Sequence, residues 1–219
     1  MKKKILIIAI VIIVLLCLVI AIPFINVIVK TNNINTDYSY LKEDSGYNKK
    51  VEVTNIELVS QKVSCGYASI EMVSSFYNEK VTEEELDSRN KKISTSSSKG
   101  FLEEINKSIT SKSFVMKSYL KNDDFLKEIY NSLENNNPVV IEWAALYEGE
   151  WTLHFSVVTG LDLSDDLVTI YNPYGYIENI GVDEFISRTS FKAYSNMPLF
   201  LKFGFAFGAF KKNTCFYAK

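Results

Sequence analysis

The sequence predicts an α+β domain carried behind one membrane-spanning helix. Three observations lead there: an uncharged apolar run from Ile5 to Val29, helical apolar spacing in the first half of the remainder, and alternating β-branched and aromatic residues in the second. A run of about 20 apolar residues is long enough to cross the hydrocarbon core of a bilayer as a helix. Lys2, Lys3 and Lys4 precede it, and a basic cluster stays on the cytoplasmic side, so the chain after Lys30 is expected outside the cell membrane. A cleaved signal has a shorter apolar centre. A lipoprotein signal wants a small residue before its cysteine, and Leu16 precedes Cys17.

Residues 1–30 thus read as Lys cluster and anchor, 31–50 as a polar, loosely held linker, and 51–219 as one domain. Val51, Val53 and Ile56 alternate like a short strand leading to Gln61. From Cys65, the residues Ala68, Ile70, Met72, Val73 and Phe76 form the apolar face of a helix. Thr82 and Glu85 make a capping-box pattern for a second helix through Leu86. The Ser-rich tract from Ser94 to Ser98 is a loop, and Phe101, Leu102 and Ile105 begin another helix. Residues 113–120 look extended, and Asp123 or Asp124 can cap a helix that runs through Leu133 and stops before Pro138. Val139–Ile141, Trp151–Thr159 and Val168–Tyr171 are strands, with turns at Gly160–Asp166 and Asn172–Gly175. A short helix covers Asp183–Ser187, and Leu199–Phe207 is expected to return to strand. Composition does not decide whether the tail LFLKFGFAFGAF is core or contact surface.

Charge and cysteine usage narrow the function. Beyond residue 30 the chain has 20 basic and 26 acidic residues, a net charge of −6, which is a poor match for nucleic acid. Of three cysteines, Cys17 falls in the span, so Cys65 and Cys215 are too few for a disulfide framework, and Cys65 reads as a free thiol. With one histidine in the chain, no zinc-binding cluster and no cofactor are expected.

The chemistry-bearing residues follow. A helix N-terminus lowers a thiol pKa, and Cys65-Gly66 has that position, with Gly66 leaving the sulfur uncrowded. His154 is the only imidazole available as a base, in the strand pattern WTLHFSVVTG. An orienting carbonyl or carboxylate is needed on its second nitrogen. Asn172, at the end of the next strand, fits that role better than Asp162, which lies at the hairpin turn. The Cys65 amide and the side chain of Gln61 are candidates to receive an oxyanion. Tyr67, Trp143, Trp151 and Tyr174 lie near these segments, but aromatic side chains are core more often than subsite.

The ordered set Gln61, Cys65-Gly66, His154, Asn172 resembles papain-like cysteine peptidases, most closely the branch that cleaves double-glycine leader peptides from bacteriocins and its stand-alone relatives. QKVSCGYASIEMVSSFY with VTEEEL, the Ser-rich loop into GFLEEIN, and NPVVIEW, HFSVVTGLD and VTIYNPYG carry the resemblance over residues 55–180. Family members usually have aspartate before the proline, where Asn172 stands; papain itself uses asparagine. Their glutamine usually lies slightly further from the cysteine than Gln61 does. The resemblance implies a papain-like fold, with helices packed on an antiparallel sheet, and hydrolysis of a peptide or protein substrate through an acyl-enzyme. No transporter span or ATPase module follows, so coupled export within the chain is not expected. An acyl transferase on the same machinery and an inactive peptide-binding module are the alternatives.

Overall fold

The computed structural model of the chain describes residues 2–90, 95–191 and 198–219. Helix α1, Lys2–Ile34, is exposed along most of its uncharged run, with Val27 buried, and ends in buried Ile34. It is long and apolar enough to cross a membrane. The polar segment that follows is bound to the domain at several points. Thr36 Oγ1 and Tyr40 Oη donate to the two oxygens of Asp123, Tyr38 Oη donates to Asp183, and Leu41 is fully buried. A connector read from polarity alone as loosely held is therefore a packed strap.

Strand β1 is Val51–Glu52, and helices α2 (Cys65–Phe76), α3 (Glu83–Asn90) and α4 (Ser98–Ser108) follow. The capping box at α3 forms in both directions, Glu85 N to Thr82 Oγ1 at 3.2 Å and Thr82 N to Glu85 Oε2 at 3.1 Å. Ser97 caps α4 by accepting from Gly100 N at 3.0 Å; Ser94, where the Ser-rich loop was expected to begin, lies outside the described residues. β2 (Phe114–Lys117) leads to α5 (Asn122–Glu134). The α5 cap position is Lys121, without a side-chain bond; the helix starts at Asn122, so Asp123 and Asp124, the expected caps, lie inside its first turn, and Asp123 accepts from Thr36 and Tyr40.

The strands β3 (Val139–Tyr147), β4 (Glu150–Asp162), β5 (Leu167–Asn172) and β6 (Tyr176–Ile180) are joined antiparallel, and α6 is Val182–Thr189. The expected strand at Leu199–Phe207 is instead helix α7, Leu199–Ala206. Leu201 and Phe205, four apart, are its buried face, while the place beside β3 is taken by β7, Thr214–Ala218. Among the described residues the sheet runs β2-β7-β3-β4-β5-β6, with β1 on β4.

Alternation along the strands assigns two faces. Val140, Phe155, Val157 and Phe216 meet Tyr67, Ile70 and Val73 of α2 and Phe101 and Ile105 of α4. Ile141, Trp143, Val158, Val168 and Ile170 meet α5 and α6 through Phe125, Ile129, Phe185 and Ile186. Each such fully buried side chain contributes about 1.5–3 kcal/mol relative to exposure. The sheet is thereby fixed from both sides, and the end of β5 becomes a defined place.

Candidate active site

The site is built where the N-terminus of α2 meets an open stretch of β4. Ser64 is extended (φ −155°, ψ 147°) and its hydroxyl accepts from Tyr67 N at 3.2 Å, which starts α2 at Cys65. The three residues before Cys65 donate their amides to one buried carboxylate, Glu83. Lys62 N bonds Oε2 at 2.7 Å, and Val63 N and Ser64 N bond Oε1 at 2.8 and 2.6 Å. On the other side, Gln61 N donates to Pro173 O at 2.7 Å. The Gln61 side-chain oxygen is buried without a hydrogen-bond partner among the described residues. Gly66 is required by packing, since a Cβ there would stand 2.5 Å from Thr95 Cβ.

The open stretch of β4 follows from its hairpin. Glu148 and Gly149 both have positive φ, 49° and 86°, so β3 and β4 join through a tight two-residue turn with Tyr147 opposite Glu150. Counting back in twos, the Phe155 amide points away from β3, towards the β5 side. The β4–β5 ladder ends at Val157 and Tyr171, with Asn172 and Pro173 beyond it. That Phe155 amide faces the Cys65 sulfur instead.

His154, one residue earlier, projects to the face of its partner Trp143, opposite to the face that α2 covers. Its Nε2 lies 2.8 Å from Asn172 Oδ1, which also accepts from Tyr174 N at 2.9 Å. The backbone donor identifies that atom as the amide oxygen, so Nε2 carries the proton and Nδ1 keeps its lone pair. The Tyr174 ring stacks on the imidazole, with centroids 4.1 Å apart and planes 21° apart. Asp162, the rival orienter, is spent on its own turn, accepting from Ser164 and Asp165. Of the expected site residues, His154 and Asn172 are joined by a hydrogen bond, Gln61 is bonded through its amide to Pro173 beside Asn172, and Cys65 meets β4 at the Phe155 amide. Among the described residues no hydrogen bond joins sulfur to imidazole; Phe155, whose amide faces the sulfur, follows His154 directly in β4.

Electrostatics here departs from expectation in one respect. The amides of Phe155, Gly66 and Cys65 favour a thiolate, as a helix start should, but burial acts oppositely and more strongly, pushing the thiol up to about 11. Burial likewise holds His154 down to about 4, against the Asn172 hydrogen bond and with help from the Arg188 cation. Arg188 is itself fixed over the Trp143 ring at 3.6 Å and bonded to Ala144 O at 2.8 Å. The resting pair is a neutral thiol and a neutral imidazole.

Replacing Asn172 by aspartate would set a carboxylate against Nε2–H and favour imidazolium. The His154 titration, the only histidine signal in an NMR spectrum of this chain, is expected to move up from about 4 in Asn172→Asp. Because a depressed histidine binds fewer protons folded than unfolded, stability of the parent chain falls as pH drops from about 6.5 towards about 4, and the variant should lose less over that window. An unchanged midpoint would mean that the side chain at 172 does not control the ring.

Sequence reasoning missed two participants. Glu83 is one of three consecutive acids, and nothing in EEEL tells which turns inward. Ser64 carried a usable signal, a serine immediately before a helix start. Among the described residues no cluster of metal-binding side chains accompanies the site.

Comparison with known proteins gives a family match and a likeness to solved structures, which differ in reach. A family model described as the Peptidase_C39 like family matches residues 53–198. A solved structure described as a double glycine motif protease from an AMS/PCAT transporter, in complex with the leader peptide, is similar in fold. Its TM-score is 0.50 at 16% identity, over 77% of this chain and 97% of that one. No curated protein matches the sequence.

Proposed function

Since the chain belongs to the Peptidase_C39 like family, we propose that it is a membrane-anchored cysteine peptidase working through Cys65, His154 and Asn172. The observation that carries this reading is the double use of Asn172 Oδ1, which leaves His154 Nδ1 as the basic atom of the site. Nδ1 takes the proton of Cys65 as sulfur attacks the scissile carbonyl carbon, and negative charge moves onto the carbonyl oxygen. The Cys65 amide and the side-chain amide of Gln61 receive that oxyanion. Imidazolium then protonates the leaving amine, the C–N bond breaks, and a thioester to Cys65 remains. Water, deprotonated by Nδ1, cleaves the thioester and restores the thiol. Lys2–Lys4 keep the N-terminus of α1 inside and the domain lies outside, where its substrate is a leader or another secreted peptide. The leader peptide bound to the similar protease supports a peptide substrate here.

Peptide binding without catalysis is favoured by one observation, the thiol pushed up to about 11. A peptide-based electrophile separates the readings, because only a working pair drives attack near neutral pH. Mass spectrometry is expected to find the adduct on Cys65, with buried Cys215 unmodified. Saturating binding of the peptide with no adduct at Cys65 would rule out the peptidase.

A further inference from the structure

Helix α7 has two apolar faces and uses one. Leu201 and Phe205 are buried with Ala144, Phe191 and Val27 of α1. Leu199, Phe200 and Phe207 are 65%, 70% and 59% exposed, and Lys202 is the only charge between Leu199 and Phe210. An exposed apolar patch of this kind marks a contact with protein or membrane.

The position of α7 decides which. The Phe203 ring meets Phe24 of α1 edge-on at 5.3 Å, and Val27 is in the same cluster as Leu201 and Phe205. About 20 residues counted from Ile5 cover the hydrocarbon core, so Phe24 and Val27 stand where core gives way to headgroups. Lys30, the first charge after the run, sits over the Tyr119 ring at 4.7 Å. Buried Ile34 and the bond from Thr36 to Asp123 hold α1 in a fixed relation to the domain. Beside α7, the β3–β4 hairpin exposes Leu146 and Tyr147 at its tip, with Trp151 packed on the α7 cluster.

We infer that α7 and the hairpin tip dock into the outer interface of the same bilayer that α1 crosses. This rests on the reading of α1 as a retained anchor. Aromatic side chains are the residues that settle at that depth, and the exposed face of α7 continues the apolar surface of the span. A cleft of about 270 Å³ lies between α7 and the hairpin, lined by Tyr147, Trp151, Phe200 and Leu201, and by Tyr174, whose ring covers His154. Docking opens that cleft along the membrane surface, so it admits peptide lying in the plane of the headgroups.

The test uses the full chain in phosphatidylcholine–phosphatidylglycerol nanodiscs, with Trp151→Phe and Phe200→Trp; Trp143, fully buried, remains as internal reference. Acyl-brominated lipid is expected to cut the emission added at position 200 about two-fold, while Trp143 is unchanged. Equal emission in plain and brominated lipid, from a chain that resists alkaline washing of the membrane, would overturn the docking and leave the anchor standing. Release of the chain by that wash would overturn the anchor, and the docking with it.

Discussion

Cys65→Ala is expected to lower kcat/KM by about 10⁶-fold, and His154→Ala by nearly as much, with the double variant no worse than either, because the two act as one unit. The residual rate belongs to binding and oxyanion contacts alone. The pH dependence distinguishes their roles. In the parent chain the imidazole accepts a proton only above about 4 and the thiol is retained up to about 11, so kcat/KM should be flat between those limits. Without the imidazole the thiolate must form unaided, and the rate of His154→Ala should climb about tenfold per pH unit towards the thiol pKa. Slow alkylation of the free thiol near neutrality is expected of both an active and an idle site, so it separates nothing. The climbing profile does. A flat profile in His154→Ala, or undiminished cleavage by Cys65→Ala, would remove His154 or Cys65 from the chemistry.

What could be read from the sequence was what depends on local pattern. The helix from Cys65 is set by apolar spacing through Phe76, and the strand at His154 by its β-branched neighbours, so both elements were legible. A single histidine left one candidate base, and its contact with Asn172 was legible because a proline must end the ladder after Asn172. Quantities set by packing were not. Whether the α2 terminus or burial governs the thiol depends on how closely β4 approaches it, a long-range contact. The segment Leu199–Ala206 fits strand and helix equally by composition, and α1, almost two hundred residues earlier, supplies the surface that makes it helical. The strap after Ile34 looked loose because its partners, Asp123, Asp166 and Asp183, are distant acids that pattern does not associate with it.

Glu83→Ala is expected to be the most destabilising single change in the domain outside its apolar core. The carboxylate is buried and accepts from three successive amides, and removing it leaves Lys62, Val63 and Ser64 without acceptors, at about 1–3 kcal/mol for each amide that water does not reach. Because the three are only partly buried, the sum is about 3–5 kcal/mol, a large share of the 5–15 kcal/mol typical of a domain. Glu83→Gln should cost less, since its one carbonyl oxygen can keep Val63 and Ser64 while its NH₂ faces Lys62 N. The same loop carries Gln61 and the cap of the helix that presents the sulfur. Where Glu83→Gln remains folded, kcat should therefore fall more than KM rises, whereas a purely structural role would leave kcat of the folded fraction intact. Urea unfolding followed alongside single-turnover kinetics reads both quantities. A Glu83→Ala chain as stable as its parent would show that α3 and the loop before Cys65 are held by something other than this carboxylate.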